Sequence, residues 1–412
     1  MRSARTLAIC AGLIRLAFPV PSSAAVTQAE LDAIRTGSTG VELAGIVIAT
    51  IDQNGRLQTR ASGCARFAAN GRDCAAPLRP DGLMRIASIS KMVTAAEVVR
   101  LALRKQLRLD QDVSSVLGFE LRNPAYPGQP ITVRQLLNHT SSMMDADQYW
   151  LPWPQIIDAT TTSTQRFDPD HGPGSFFRYC NFNYVLLGQI LERVSRQRFD
   201  RLMQQDQFQP LSLVAGYNWR IAEPLDPARI VTLYRRQAEG QPWNPTGPWI
   251  AQVDDFGGAL PAANVDLARY RIGTNGSVFS PHGGLRISLP DLARWFSRLD
   301  RRTFAAMRAA PVVLRADGSN GESERGFYRD FALGMHSFDL PGVGTVWGHF
   351  GEAYGLRAAV LRHPASRRVW AYAITGYGDD PDRQPGAAAG IDNEQQALLN
   401  LLGRGIAGKF GP

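Results

Sequence analysis

The sequence predicts an α+β fold: an antiparallel sheet built from the N- and C-terminal segments, flanked by helices, with an inserted, mostly helical lobe. Three observations carry this. Apolar, β-branched or alternating runs occur near residue 50 and again between residues 331 and 375. The stretches between them carry helical spacing. No internal repeat or low-complexity tract points to a solenoid or an array. At 412 residues the chain can bury a large core, as one big domain or two lobes.

The elements follow in order. Residues 1–25 read as an export signal. Arg2 and Arg5 form a basic start, residues 6–20 are largely apolar though Arg15 interrupts them, and Ser23, Ala24 and Ala25 offer small residues before a cut. The remaining chain, 26–412, is expected in the periplasm or outside the cell, and no later run approaches the ~18 apolar residues of a membrane span. Residues 41–51 are an apolar run ending at Asp52-Gln53-Asn54-Gly55, and residues 56–62 alternate, which predicts a hairpin. Cys64 and Cys74 flank a polar stretch. Export permits a disulfide between them, and two free thiols are the alternative.

Residues 93–103 are apolar on nearly every face, the mark of a core helix. Residues 106–118 read as a polar turn and a short helix, and 131–142 as a capped helix ending in small polar residues. Residues 143–177, rich in aromatic residues, Thr, Asp, Pro and Gly, are too long for a mere connection and predict a functional surface loop. A helix follows at 182–194, an irregular stretch at 214–280, and a helix at 289–299 with Pro290 in its permitted first turn. Strands are expected at 331–338, 344–347, 356–361 and 369–375, then a last helix near 393–402. The sheet lobe then takes residues 26–90 and 283–408, and the helical lobe 91–282.

The formal charge is +8, of which Arg2, Arg5 and Arg15 supply three. The rest is spread along the chain without a basic run interleaved with aromatics, so no nucleic-acid partner is suggested. Nearly all the basic residues are arginine; the lysines are Lys91, Lys105 and Lys409. Arginine does not give up its proton in a protein, whereas a desolvated lysine does. Lys91 opens the apolar helix, three residues after Ser88, so the two side chains share a helix face. That is the geometry of a nucleophile and its base. The four-letter pattern also occurs by chance, and the chain contains no GxSxG, HExxH or CxxC.

Two further stretches complete a constellation. Tyr179-Cys180-Asn181 puts a tyrosine and an asparagine two apart, so both can face one cleft. Trp347-Gly348-His349-Phe350-Gly351-Glu352 sets a histidine among glycines on a strand, where glycine admits close approach. Taken alone, Tyr179 could be a packing aromatic and His349 a satisfied strand histidine. Together, in this order, the stretches resemble the serine β-lactamase and penicillin-binding-protein superfamily, in the branch with class C β-lactamases, D-Ala-D-Ala carboxypeptidases and family VIII esterases. Ser88 to Lys91 looks like its SxxK motif, Tyr179 to Asn181 its YxN motif, and His349 to Gly351 the HxG form of its KTG motif.

The resemblance implies a serine hydrolase working through an acyl-enzyme on a small-molecule or peptide substrate, with no metal or other cofactor, and the N-terminal pattern adds export. Ser88 would attack the carbonyl carbon while Lys91 and Tyr179 move the proton. A lysine of reference pKa ~10.4 must approach ~7–8 to act as that base, which asks about 4 kcal/mol of burial. Asn181 would orient Lys91 and the substrate, and His349 would line the opposite wall. The oxyanion would lie between the backbone N–H groups of Ser88 and Glu352, next to Gly351. The sequence also departs from the pattern. His349 stands where class C enzymes carry a lysine, so a substrate carboxylate would be held less firmly. Cys180 replaces a serine, and Glu352 would repel anions if it faced the cleft. Tyr149, Trp150 and Trp153 are expected to cover the cleft mouth and favour apolar groups. Small carboxyl esters or D-amino-acid amides are the expected substrates. The alternatives are β-lactams or D-Ala-D-Ala peptides, or a non-catalytic binding protein.

Overall fold

The computed structural model describes residues 25–160, 162–217, 226–238, 240–255, 265–378, 385–386 and 390–404. The predicted export signal lies outside them except for Ala25. Nine antiparallel strands form the main sheet. In spatial order they are Cys74–Pro77, Leu57–Phe67, Gly45–Ile51, Val369–Thr375, Leu356–Arg362, Gly344–Ala353, His336–Leu340, Asp330–Phe331 and Val312–Val313. The two chain ends meet at the centre, where Gly45–Ile51 pairs with Val369–Thr375 from Gly45 opposite Thr375 to Ile51 opposite Val369.

Both faces of this sheet are covered. Val47, Ala49 and Ile51 face a core shared with the helices Ile89–Leu103 and Leu289–Arg298. Ile46 and Ile48 face a second core closed by Leu31 and Ile34 of the helix Gln28–Arg35 and by Leu398 and Leu399 of the helix Asn393–Gly403. A strand buried on both faces loses its polar alternation, which is why these strands read as unbroken apolar runs. The predicted hairpin turn is held by Asp52, whose carboxylate accepts from the Asn54 and Arg56 N–H groups at 2.8 and 2.9 Å. Cys64 and Cys74 form a disulfide that ties the sheet's edge strand to its neighbour.

Two expectations are corrected. Residues 331–338 are two strands, because Gly334 turns the chain at φ 75°. A Cβ there would stand 2.4 Å from the Ala95 Cβ, so only glycine lets the turn seat on the helix Ile89–Leu103. The strand expected at 344–347 runs on to Ala353 and carries the whole histidine–glycine stretch. The irregular region 214–280 contributes short strands, among them Ala215–Gly216 in a small sheet with Arg286–Ile287 and Met84–Arg85. That sheet aims the chain into Ser88. Among the described residues no helix is long and apolar enough to cross a membrane.

Candidate active site

Ser88 caps the helix Ile89–Leu103, immediately after Ala87, a non-glycine residue held at φ 48°. Such a conformation costs about 1 kcal/mol or more and persists only where its surroundings impose it. Here the Ser90 hydroxyl donates to the Ala87 carbonyl at 2.6 Å and accepts the Leu285 N–H at 3.0 Å. The turn is thereby locked to the strand Arg286–Ile287, and the Ser88 side chain emerges at the helix N-terminus, at the floor of a cleft of about 790 Å³.

Lys91 is completely buried, and its Nζ reaches Ser88 Oγ at 3.0 Å, Asn181 Oδ1 at 2.7 Å and the His282 carbonyl at 3.0 Å. Among the described residues no carboxylate touches it. Burial pushes its pKa down to about 7, against the weaker pull of the more distant Asp145. That shift is worth about 5 kcal/mol between the two protonation states. A neutral amine has two N–H groups and one lone pair. The amide and carbonyl oxygens can only accept, so the lone pair is left for the Ser88 O–H.

Tyr179 lies with its ring between His139, 4.4 Å away between ring centres, and Tyr328, 5.7 Å away, both stacked. Its hydroxyl is buried beside Ser88 without a well-formed hydrogen bond, and burial raises its pKa far above the ordinary phenol value. It is therefore a neutral phenol. Asn181 opens the helix Asn181–Ser195. Its amide donates to Asp145 at 2.6 Å, and the same carboxylate accepts the Asn181 and Phe182 N–H groups at 3.0 Å each. Asp145 thus caps this helix and fixes which way the asparagine oxygen points. Cys180 is a free, buried thiol turned away from the cleft, 3.4 Å from Asp145.

The opposite wall is the strand Gly344–Ala353. Beyond Gly348 it pairs only with Leu356–Arg362, so its other edge is open towards Ser88. Tyr354 and Gly355 form the connecting two-residue turn, both at positive φ. Such a turn makes Ala353 and Leu356 a hydrogen-bonded pair, and pairs then alternate along the ladder. Glu352 and Phe350 therefore turn their backbone groups to the open edge, and the Phe350 carbonyl indeed accepts from His349 Nδ1. Gly351 permits the approach, since a Cβ there would lie 2.4 Å from the Ile86 carbonyl oxygen. Gly351→Ala is expected to push this strand off the Ser88 turn, at a stability cost of about 1–3 kcal/mol. Activity should fall further than stability; a variant with unchanged melting temperature and turnover would contradict the contact.

Two site expectations change. His349 does not line the cleft: it is buried behind Tyr179, ring centres 6.3 Å apart. Burial holds its pKa well below the usual imidazole value, so it is neutral. The Glu352 side chain does reach the cleft, but Arg357 pairs with it at 2.9 Å. Of the aromatic residues expected at the mouth, Tyr149 is there, whereas Trp150 is 45 % exposed and Trp153 packs on the main core. The mouth is charged rather than apolar, with Arg85, Arg235, Glu324, Arg325, Glu352 and Arg357 around it. Sequence reasoning missed Asp145, His139 and the arginines.

The beta-lactamase family model matches residues 32–393. The chain belongs to the beta-lactamase family. Penicillin-binding protein 4 of Amycolatopsis lactamdurans is 29 % identical over 202 residues, 47 % of this chain and 49 % of the relative. The chain matches about half or less of the length of such curated relatives. Among beta-lactamase-fold structures, a D-stereospecific amidohydrolase from Streptomyces sp. superposes with a TM-score of 0.61 at 19 % identity, covering 91 % of this chain and 97 % of the other. D-amino acid amidase from Ochrobactrum anthropi SV3 gives 0.63 at 16 %, with coverages of 91 % and 98 %. At these identities the likeness speaks for the fold alone.

Proposed function

We propose that this beta-lactamase-family protein is an exported serine hydrolase that cleaves small carboxyl esters or D-amino-acid amides through an acyl-enzyme on Ser88. The observation that carries the reading is the buried Lys91 amine against the Ser88 hydroxyl, with its pKa near neutrality and no carboxylate of the described residues in contact. Ser88 Oγ attacks the carbonyl carbon as its proton passes to Lys91. The oxyanion forms between the Ser88 and Glu352 N–H groups. Tyr179, a phenol rather than a phenolate, relays the proton from Lys91 to the leaving group. Water then releases the acyl group by the same path in reverse. The fold shared with proteins named as amidases is compatible with the amide option, and the N-terminal pattern and the Cys64–Cys74 bond support export.

Purified protein with p-nitrophenyl butyrate, a D-amino-acid amide, nitrocefin and a D-Ala-D-Ala peptide, beside Ser88→Ala, decides the reading. Ester or amide turnover lost in Ser88→Ala is the expected result. Higher kcat/KM for nitrocefin or the peptide would favour the second reading, a β-lactamase or carboxypeptidase, to which the penicillin-binding relatives point. No turnover of any of the four, with no fluorophosphonate labelling of Ser88, would overturn both.

A further inference from the structure

We propose that Arg85 and Arg235 form a carboxylate subsite at the turn end of the cleft, and that the acyl part of the substrate carries an anionic group there. The inference rests on the Ser88 reading for its chemistry and adds the class of acyl group.

Both arginines line the cleft that holds Ser88. Arg85 ends the short strand three residues before Ser88, and its guanidinium lies 5.6 Å from the centre of the Tyr354 ring. Arg235 flanks the same turn from the other side: a Cβ on Gly355 would meet its Cγ at 2.9 Å. The Nε atom of each makes no hydrogen bond, Arg85 Nε having only the longer contact to Asp254, and neither guanidinium hydrogen-bonds to any described residue. Asp254 divides its two oxygens, Oδ1 accepting from Arg286 at 3.2 Å and Oδ2 lying 3.9 Å from Arg85, so it meets Arg85 only loosely, and no described carboxylate pairs with Arg235. Burial, and after it the nearby Arg85, pushes Arg286 down to about 10.

Buried donors without acceptors are costly. The guanidinium fork matches a carboxylate with two parallel hydrogen bonds. Geometry also tells which half of the substrate lies here. Tyr179, which hands the proton to the leaving group, is near His349. The turn is five residues further along the same wall, about 16 Å of extended chain. The leaving group departs at the His349 end, so the acyl chain points towards Arg85 and Arg235. Glu352 lies three residues from Gly355, about 10 Å. Arginine side chains reach back over part of that distance, which suits a short dicarboxylic half-ester.

The test compares mono-p-nitrophenyl adipate with p-nitrophenyl hexanoate, equal in acyl length. Wild type is expected to show at least about a tenfold higher kcat/KM for the adipate ester, as one charge-assisted hydrogen bond predicts. Arg235→Gln and Arg85→Gln should each reduce that ratio about tenfold, and added salt should reduce it too. Arg235 is partly exposed, so its variant reads the subsite even if Arg85→Gln does not fold. A wild-type ratio at or below one, or a ratio unchanged in Arg235→Gln, overturns the subsite while leaving Ser88 in place if Ser88→Ala is inactive. If neither ester is turned over, the Ser88 reading fails and calorimetry with free adipate decides the subsite separately. Binding to wild type and none to Arg235→Gln supports it; no binding to wild type overturns it.

Discussion

Replacing Lys91 by arginine is expected to lower kcat/KM for a p-nitrophenyl ester by about a thousandfold or more, the loss typical of removing a base that acts with its nucleophile. Arginine keeps a cation at the site and cannot lend it a lone pair. The argument is about protonation, so a pH profile belongs with it. Below its pKa the Lys91 amine is an ammonium, and nothing on it can accept the Ser88 proton. Above it the lone pair is free. Activity of the wild type should therefore rise with pH through about 7 and then level off. His139, His282 and His349 are buried and held well below the usual imidazole pKa, so they remain neutral across that range and add no second limb. Circular dichroism of Lys91→Met separates the loss of a base from a loss of fold. A flat profile between about pH 5 and about pH 9, or an active Lys91→Arg, would remove lysine from the base role.

Tyr179→Phe is the second large effect, and its size should depend on the leaving group. p-Nitrophenolate departs without a proton, whereas an amine or an alkyl alcohol needs one. Turnover of a D-amino-acid amide should fall by about 10²–10⁴-fold, and that of the p-nitrophenyl ester much less. Stability should hardly change. The phenol oxygen has no well-formed hydrogen bond to lose, and the ring remains stacked between His139 and Tyr328. Equal losses on both substrates would mean that Tyr179 activates Ser88 instead of serving the leaving group. A fall in melting temperature of many degrees would make its role structural.

Ser88 and Lys91 were legible from spacing at a helix start, Tyr179 and Asn181 from two-residue spacing just before another, and the order of the three motifs, with the resemblance they carry, joined them into one site. The central strands were legible because both their faces are buried. Asp145 was not. It is one acid in a long irregular segment, and only the folded chain brings it 2.6 Å from the Asn181 amide, 36 residues away. His349 misled for a related reason. Strand alternation gives two faces but not which of them is the cleft, and the structure turns this ring inward behind Tyr179. Arg235 lay in a stretch without periodicity, and its proximity to Gly355 is purely tertiary. The split at Gly334 was hidden because a glycine inside an apolar run reads equally well as a bulge or a turn.

The pairing of Gly45–Ile51 with Val369–Thr375 has a consequence for biosynthesis. The first and last helices among the described residues share one core, and Glu30 and Arg404 close to 2.8 Å. A chain still being made has its nucleophile early and lacks the wall that carries Glu352 until most of the sequence has emerged. Until then the Ser88–Lys91 pair lacks the Glu352 N–H expected to hold the oxyanion. Long-range closure of this kind is slow, because the loop entropy must be overcome before the contacts form. Hydrolytic power is therefore expected only once the tail docks beside the head.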